Sequence, residues 1–184
     1  VGDLVPPLLG VHHTPYAIPF VPHLTPVAIG LVVVAGIVFG LAGMTFAALT
    51  HRLSRLLKHH IAFGPLRPVL GGSVVVAAAL ALGTDKYLGL GIPVIVDAFH
   101  NPLPAYDFAG KAAFTIVTLA SGFKGGEVTP LFYIGATLGN ALGYVLPLPF
   151  PLLAGLGFVA VFAGAANTPI ASTLMAMELF GPEV

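Results

Sequence analysis

Apolar positions in this chain fall in long unbroken runs separated by short polar or glycine- and proline-rich breaks. From Val27 to Thr50 there is no charged residue, which meets the roughly 20 apolar residues a spanning helix needs and predicts one over 27–50. Pro68 to Thr84 is a second uncharged run, somewhat short for a perpendicular crossing, ended by Asp85 and Lys86. A helix over 68–84 is expected there. Tyr87 to Val96 contains Gly89, Gly91 and Pro93, so 87–96 reads as a half-helix or re-entrant segment. A short helix over 110–121 comes next. The tract from Val128 to Met177 carries no charge, yet Gly143, Pro147, Pro149 and Pro151 interrupt it, as does the run Gly164 to Pro169. It divides into helices over 127–146, 152–164 and 168–180, with Asn167 or Thr168 capping the last and Pro169 in its first turn. Residues 1–26 hold six prolines and three histidines with no sustained period. They read as an N-terminal connecting segment outside the bilayer, and 27–184 as the membrane domain.

Composition fits this picture. Hydrophobic residues are 57% of the chain, charged residues 8%, and mean hydropathy is +1.00, where soluble domains use about 25% charged residues. The class is an all-α integral membrane protein. Seven basic residues balance seven acidic ones, and a nucleic-acid footprint, which needs a clustered basic face, is excluded. There is no cysteine and hence no disulfide framework. The chain opens on Val1 without a signal-peptide pattern, and it reads as a fragment or processed piece. Four of the seven basic residues lie in Arg52, Arg55, Lys58 and Arg67, which places the loop 51–67 on the cytoplasmic side of a cell membrane. The patch is read as a topology signal with snorkelling side chains rather than a lipid or regulatory site.

The candidate chemistry lies at Ser121–Gly143. Gly125 and Gly126 form a permissive turn, Glu127 is next, and Pro130 suits the first turn of a helix starting near Glu127. The first N–H groups of that helix lack intrahelical partners and carry its positive dipole end, so the site suits an anion. Gly135, Gly139 and Gly143 recur every four residues, leaving one face bare for another backbone; Gly36 and Gly40 offer a weaker notch. Several half-length helices with capped ends at membrane depth are the build of a transporter's substrate site. Glu127, an ionisable group near the apolar layer, is a functional candidate there, set against an interfacial pairing with Lys124. Asp97 to Asp107 reads as an exposed loop rich in turn formers, whose carboxylates are solvated; metal sites at His12 and His13, or at Asp97, His100 and Asp107, find too little support in spacing, and neither metal nor other cofactor is expected.

The string Gly126-Glu-Val-Thr-Pro130, preceded by Ser121-Gly-Phe-Lys-Gly125 and continued by the glycine helix, resembles the anion-binding signature Gly-x-Phe-x-Pro of the CLC chloride channels and transporters. Gly157 to Pro169 and the segment ending near Glu178 resemble the helices C-terminal to that signature in the family. The resemblance covers about Val27 to the end and implies a bundle of tilted, broken helices forming the second inverted repeat, incomplete. It implies that Gly125, Gly126, Glu127, Val128, Thr129 and Pro130 line the anion site, with the N–H groups of Glu127 and Val128 facing the ion, and that Asn167 and Thr168 form a helix break near the pathway. Val128 replaces the motif's Phe, and Glu127 stands where chloride members carry an aliphatic residue. Gly-Gly-Glu-Val-Thr-Pro is similar to the branch that exchanges fluoride for protons. Glu127 then becomes the proton-coupling or gating group.

The same resemblance implies a homodimer in the lipid bilayer and a need for the missing N-terminal half and final C-terminal helices. The expected function is fluoride export coupled to protons; the alternative is a chloride channel or chloride/proton antiporter of the ordinary branch. An intramembrane enzyme would need paired ligands or a nucleophile and base. The tract from Val128 to Met177 has no His, Asp or Cys, and the protein is not expected to be an enzyme. A purely structural membrane subunit would gain nothing from its proline and glycine breaks.

Overall fold

The structure is a computed structural model, and it describes Tyr16, residues 18–23 and residues 25–181. Among these, seven helices and no strand occur: α1 Pro26–His60, α2 Leu66–Leu82, α3 Ile92–Ala98, α4 Asp107–Ala120, α5 Val128–Leu142, α6 Phe150–Ala166 and α7 Pro169–Phe180. The histidine pair His12 and His13 lies outside the described residues.

Helix α1 starts at a built cap, where Thr25 Oγ1 accepts the N–H of Ala28 at 3.2 Å and Pro26 fills the first turn. Its 35 residues rise about 1.5 Å each, well beyond the ~30 Å hydrocarbon layer. Among the described residues it is the one helix long and apolar enough to cross a membrane unaided. The sequence reading ended this helix at Thr50 and made 51–67 a loop, but the helix continues through the basic stretch to His60. Loss of hydrophobicity marks where a helix leaves lipid, whereas ending it takes a breaker, and the first Gly-Pro pair comes at Gly64. The connection is short. Arg67 folds back over it, donating from Nε to the Ile61 carbonyl at 2.9 Å near the free end of α1.

The other boundaries shift for similar local reasons. The segment 87–96 is helical only from Ile92, because Gly89 and Gly91 take positive φ of 58° and 71°. Helix α4 begins at Asp107 rather than 110. Helix α5 stops at Leu142, not 146, and α6 starts at Phe150 because Pro151 sits in its first turn, where proline is tolerated.

Helix α5 is the centre. It is buried from Pro130 to Asn140 except for half-buried Phe132, and it packs against α6, α4, α3 and α1. Helices α5 and α6 form an antiparallel hairpin in which Gly135 meets Gly157, Gly139 meets Leu153 and Gly143 meets Phe150. The four-residue glycine face therefore lies against a backbone at Gly135 and Gly139 and against the Phe150 ring at Gly143. The corresponding notch on α1 is not at Gly36 or Gly40, beside which a Cβ would find open space, but at Gly43, where it would lie 2.7 Å from the Val161 carbonyl. Ala35, Phe39, Gly43 and Phe46 make the buried stripe of α1 at helical spacing. Side chains such as Val33, Ile37, Leu41 and Met44 point outward and are exposed within this chain.

Two clusters fill the interior: Phe39, Phe46, Leu131, Ile134 and Leu138 with their neighbours on one side, and Ile95, Phe99, Phe114, Tyr133 and Phe158 on the other. The segment read as a loop outside the bilayer joins the second cluster. Tyr16 lies 5.5 Å from the Phe99 ring and 5.3 Å from Phe158, centroid to centroid.

Candidate functional site

The end of α4 fixes where the Gly125–Gly126 loop begins. Ser121 is buried and donates to the Val117 carbonyl at 2.7 Å, and Gly71 of α2 leaves the space its side chain occupies. Gly122, with φ of 95°, then turns the chain out of the helix. Residues 123–126 belong to no regular element, and α5 starts with Glu127 at its N-cap position. Leu131 donates to the Glu127 carbonyl at 3.1 Å. Among the described residues the backbone N–H groups from Phe123 to Thr129 make no hydrogen bond. A run of unpaired donors thus meets the positive end of α5.

The predicted residues are therefore contiguous at one helix mouth. Gly125, Gly126, Glu127 and Val128 are exposed, Thr129 is half-buried and Pro130 is buried against the core. Glu127 differs from expectation: it is exposed within this chain, makes no side-chain cap and forms no ion pair with Lys124. The core closes only from Pro130 inward. Asn167 and Thr168 do mark a break. Asn167 ends α6 in the left-handed conformation, φ 55°, and Thr168 precedes Pro169 at the start of α7. The expected side-chain cap is absent; the Thr168 hydroxyl instead lies 3.4 Å from the Ser172 hydroxyl.

The acidic residues set aside as a weak metal candidate are committed elsewhere. Asp107, read as a solvated loop carboxylate, is only 2% exposed. Its Oδ1 accepts from Lys86 Nζ at 2.6 Å and from the Tyr87 hydroxyl at 2.9 Å. Asp97 accepts from Asn101, and the His100 ring contacts the Val96 carbonyl. No group of metal-ligating side chains forms among the described residues. In the connection between α2 and α3, partial burial acts to lower the Lys86 pKa, but the hydrogen bond and charge of Asp107 outweigh it and hold it above the usual lysine value.

Sequence reasoning missed Lys111. One helical turn after Asp107 and 1% exposed, it donates to the carbonyls of Tyr87 at 3.0 Å and Gly89 at 2.6 Å and lies 5.1 Å from the Tyr133 ring centre. The signal was a lone charge in the apolar run from Phe108 to Ala120, which is costly in a membrane and calls for a reason. It also missed Asn140, whose amide holds Leu103, Ala98 and Asn101 at 2.8 Å each. Beside the Gly125–Gly126 loop is a cavity of about 520 Å³, walled by α2, α4 and the α2–α3 connection; Asn167 and Thr168 do not line it.

Residues 1–184 match the family described as voltage gated chloride channel. A chloride/fluoride channel protein of Pseudomonas syringae pv. tomato is 56% identical over the whole chain, which covers 42% of that protein. The voltage-gated ClC-type chloride channel ClcB of Escherichia coli is 30% identical over 82% of the chain and 38% of the relative. The crystal structure of a CLC-type fluoride/proton antiporter superposes with a TM-score of 0.89 at 36% identity, covering 95% of this chain and 45% of that one. The chain spans less than half the length of these relatives.

Proposed function

The chain belongs to the voltage-gated chloride channel family, and we propose that it supplies one wall of a halide pathway that exports fluoride in exchange for protons. The observation that carries this is the run of unpaired N–H donors from Phe123 to Thr129 at the N-terminus of α5, with a carboxylate at its mouth. A small anion leaving water loses strong hydration, and backbone donors fixed by a helix end replace it without adding a full positive charge that would trap the ion. In this reading the N–H groups of Glu127 and Val128 face the ion, with Gly125, Gly126, Thr129 and Pro130 shaping the turn. Glu127 repels an anion while ionised and admits one when protonated, which links the two fluxes. The exposure of Glu127 within this chain suits a group closed over by the remainder of the parent protein.

The parent is read as a multi-pass membrane protein, a homodimer with one pathway per subunit, and with the basic end of α1 in the cytoplasm. The deciding experiment uses the full-length parent in liposomes, with fluoride and chloride efflux recorded beside internal pH. Fluoride efflux that outpaces chloride and moves protons supports the proposal. Chloride moving as well or better assigns the protein to the ordinary chloride branch, and no halide flux overturns the pathway itself.

A further inference from the structure

Between α1 and α4 runs a groove of about 760 Å³. Buried Phe46 and Ile134 form its floor, and on the α4 side Ala109, Ala112 and Ala113 are too small to fill it. Thr45 and Arg52 are the only polar side chains along it, and no acidic one lines it. Arg52 stands where the apolar layer ends, as the first charged residue after the run from Val27 to Thr50. It is exposed and makes no ion pair among the described residues. From Arg52 back to Leu41, the far end of the groove on α1, the helix rises about 16 Å, one leaflet's share of the ~30 Å hydrocarbon layer. The groove is thus a leaflet-long apolar channel with one unpaired cation at its polar end.

We infer that the α1–α4 groove holds one phospholipid of the cytoplasmic leaflet with an anionic headgroup, its phosphate on the Arg52 guanidinium and one acyl chain lying along the groove toward Leu41. A guanidinium presents a planar fork of donors that matches two phosphate oxygens. A zwitterionic headgroup carries its own ammonium beside the phosphate, so Arg52 attracts it less than an anionic one. A helix from the rest of the parent would need an acidic side chain to balance Arg52, whereas a phosphate brings that charge with it. The basic stretch of α1, read from sequence as a topology signal, gains this second use at Arg52 because the fold sets the α4 alanines beside it. Arg55 and Lys58 lie outside the groove. The inference rests on the membrane placement proposed above and not on which ion crosses.

The test is native mass spectrometry of the purified full-length parent titrated with phosphatidylglycerol or phosphatidylcholine, as wild type, Arg52→Gln, Lys58→Gln and Ala113→Phe. The wild type is expected to retain phosphatidylglycerol in preference to phosphatidylcholine. Arg52→Gln should weaken phosphatidylglycerol binding by about fivefold or more, the effect of one basic group at a membrane surface. Ala113→Phe should remove the same bound lipid by filling the groove with every charge kept, and Lys58→Gln should change binding far less than Arg52→Gln. If Ala113→Phe does not fold, Arg52→Gln against Lys58→Gln decides, because both side chains are exposed. Equal losses in those two variants overturn the inference and leave the basic end of α1 a topology signal only. Lipid retention that ignores both Arg52→Gln and Ala113→Phe, or a wild type that retains no phosphatidylglycerol, also overturns it and gives the groove to the parent's own remaining chain. Halide flux is not read in this experiment, so the lipid site and the pathway reading fail separately.

Discussion

Gly135 and Gly157 face each other across the seam of α5 and α6 with only backbone between them, and a Cβ on either would overlap the other's carbonyl. Gly139 stands in the same relation to Leu153 one turn on. Close approach of two backbones is what small residues give a membrane bundle that has no hydrophobic drive between helices. Gly135→Ala is therefore expected to cost about 3 kcal/mol or more, at the upper end of overpacking, since backbone atoms cannot rotate aside. Gly36→Ala, with open space beside it, is expected to be neutral or stabilising by under ~1 kcal/mol. Thermal unfolding of the purified parent in detergent compares the two. Equal effects would remove the seam's special standing.

Asn140 spends its whole amide on a connection far along the chain. Its Oδ1 accepts the Leu103 N–H, and its Nδ2 donates to the carbonyls of Ala98 and Asn101. Asn140→Leu keeps the size and loses three bonds at about 1 kcal/mol each, and it strands buried polar groups. The expected cost is about 3 kcal/mol or more, with protease cleavage appearing first between 99 and 106. Asn140→Asp is expected to be no better, because a carboxylate cannot donate to the two carbonyls and adds a buried charge. A harmless Asn140→Asp would disprove this account.

The Lys86–Asp107 pair predicts an order of damage. Lys86→Met leaves the buried Asp107 carboxylate with Tyr87 alone and should cost about 3 kcal/mol. Asp107→Asn should cost less, since half-exposed Lys86 can turn to water and the amide oxygen still accepts from Tyr87. The pH dependence has a definite sign. Lys86 is held above the ordinary lysine value of 10.5, so its contribution is complete below that value and fades as pH rises through the folded-state value. The stability gap between wild type and Lys86→Met should be flat from about pH 6 to 9 and shrink only above the ordinary lysine range. Denaturant midpoints across pH measure it.

Glu127→Gln removes the ionisable group and leaves the helix end. Halide binding should persist while fluoride-driven proton movement falls to background, a loss of about tenfold or more. Flux and internal pH recorded together on the parent give the answer. Proton-linked flux at the wild-type rate would reject the role.

Composition and unbroken apolar runs were enough to specify an all-helical membrane chain, and the Gly-Gly-Glu-Val-Thr-Pro string marked where α5 starts. These are local properties: helix starts, glycine turns and charge-free tracts are decided within a few residues. The sequence likewise showed a bare glycine face on α5 but could not say what covers it, and on α1 it favoured Gly36 and Gly40 where packing uses Gly43. The fate of each polar group lay beyond local reach. Asp107 read as a solvated loop residue, and only the fold brings Lys86 and Tyr87 onto it. Lys111 finds its carbonyl partners at Tyr87 and Gly89, more than twenty positions away, and Asn140 finds its own about forty away. Burial and pairing are properties of tertiary contacts, which the three-dimensional path of the chain alone decides.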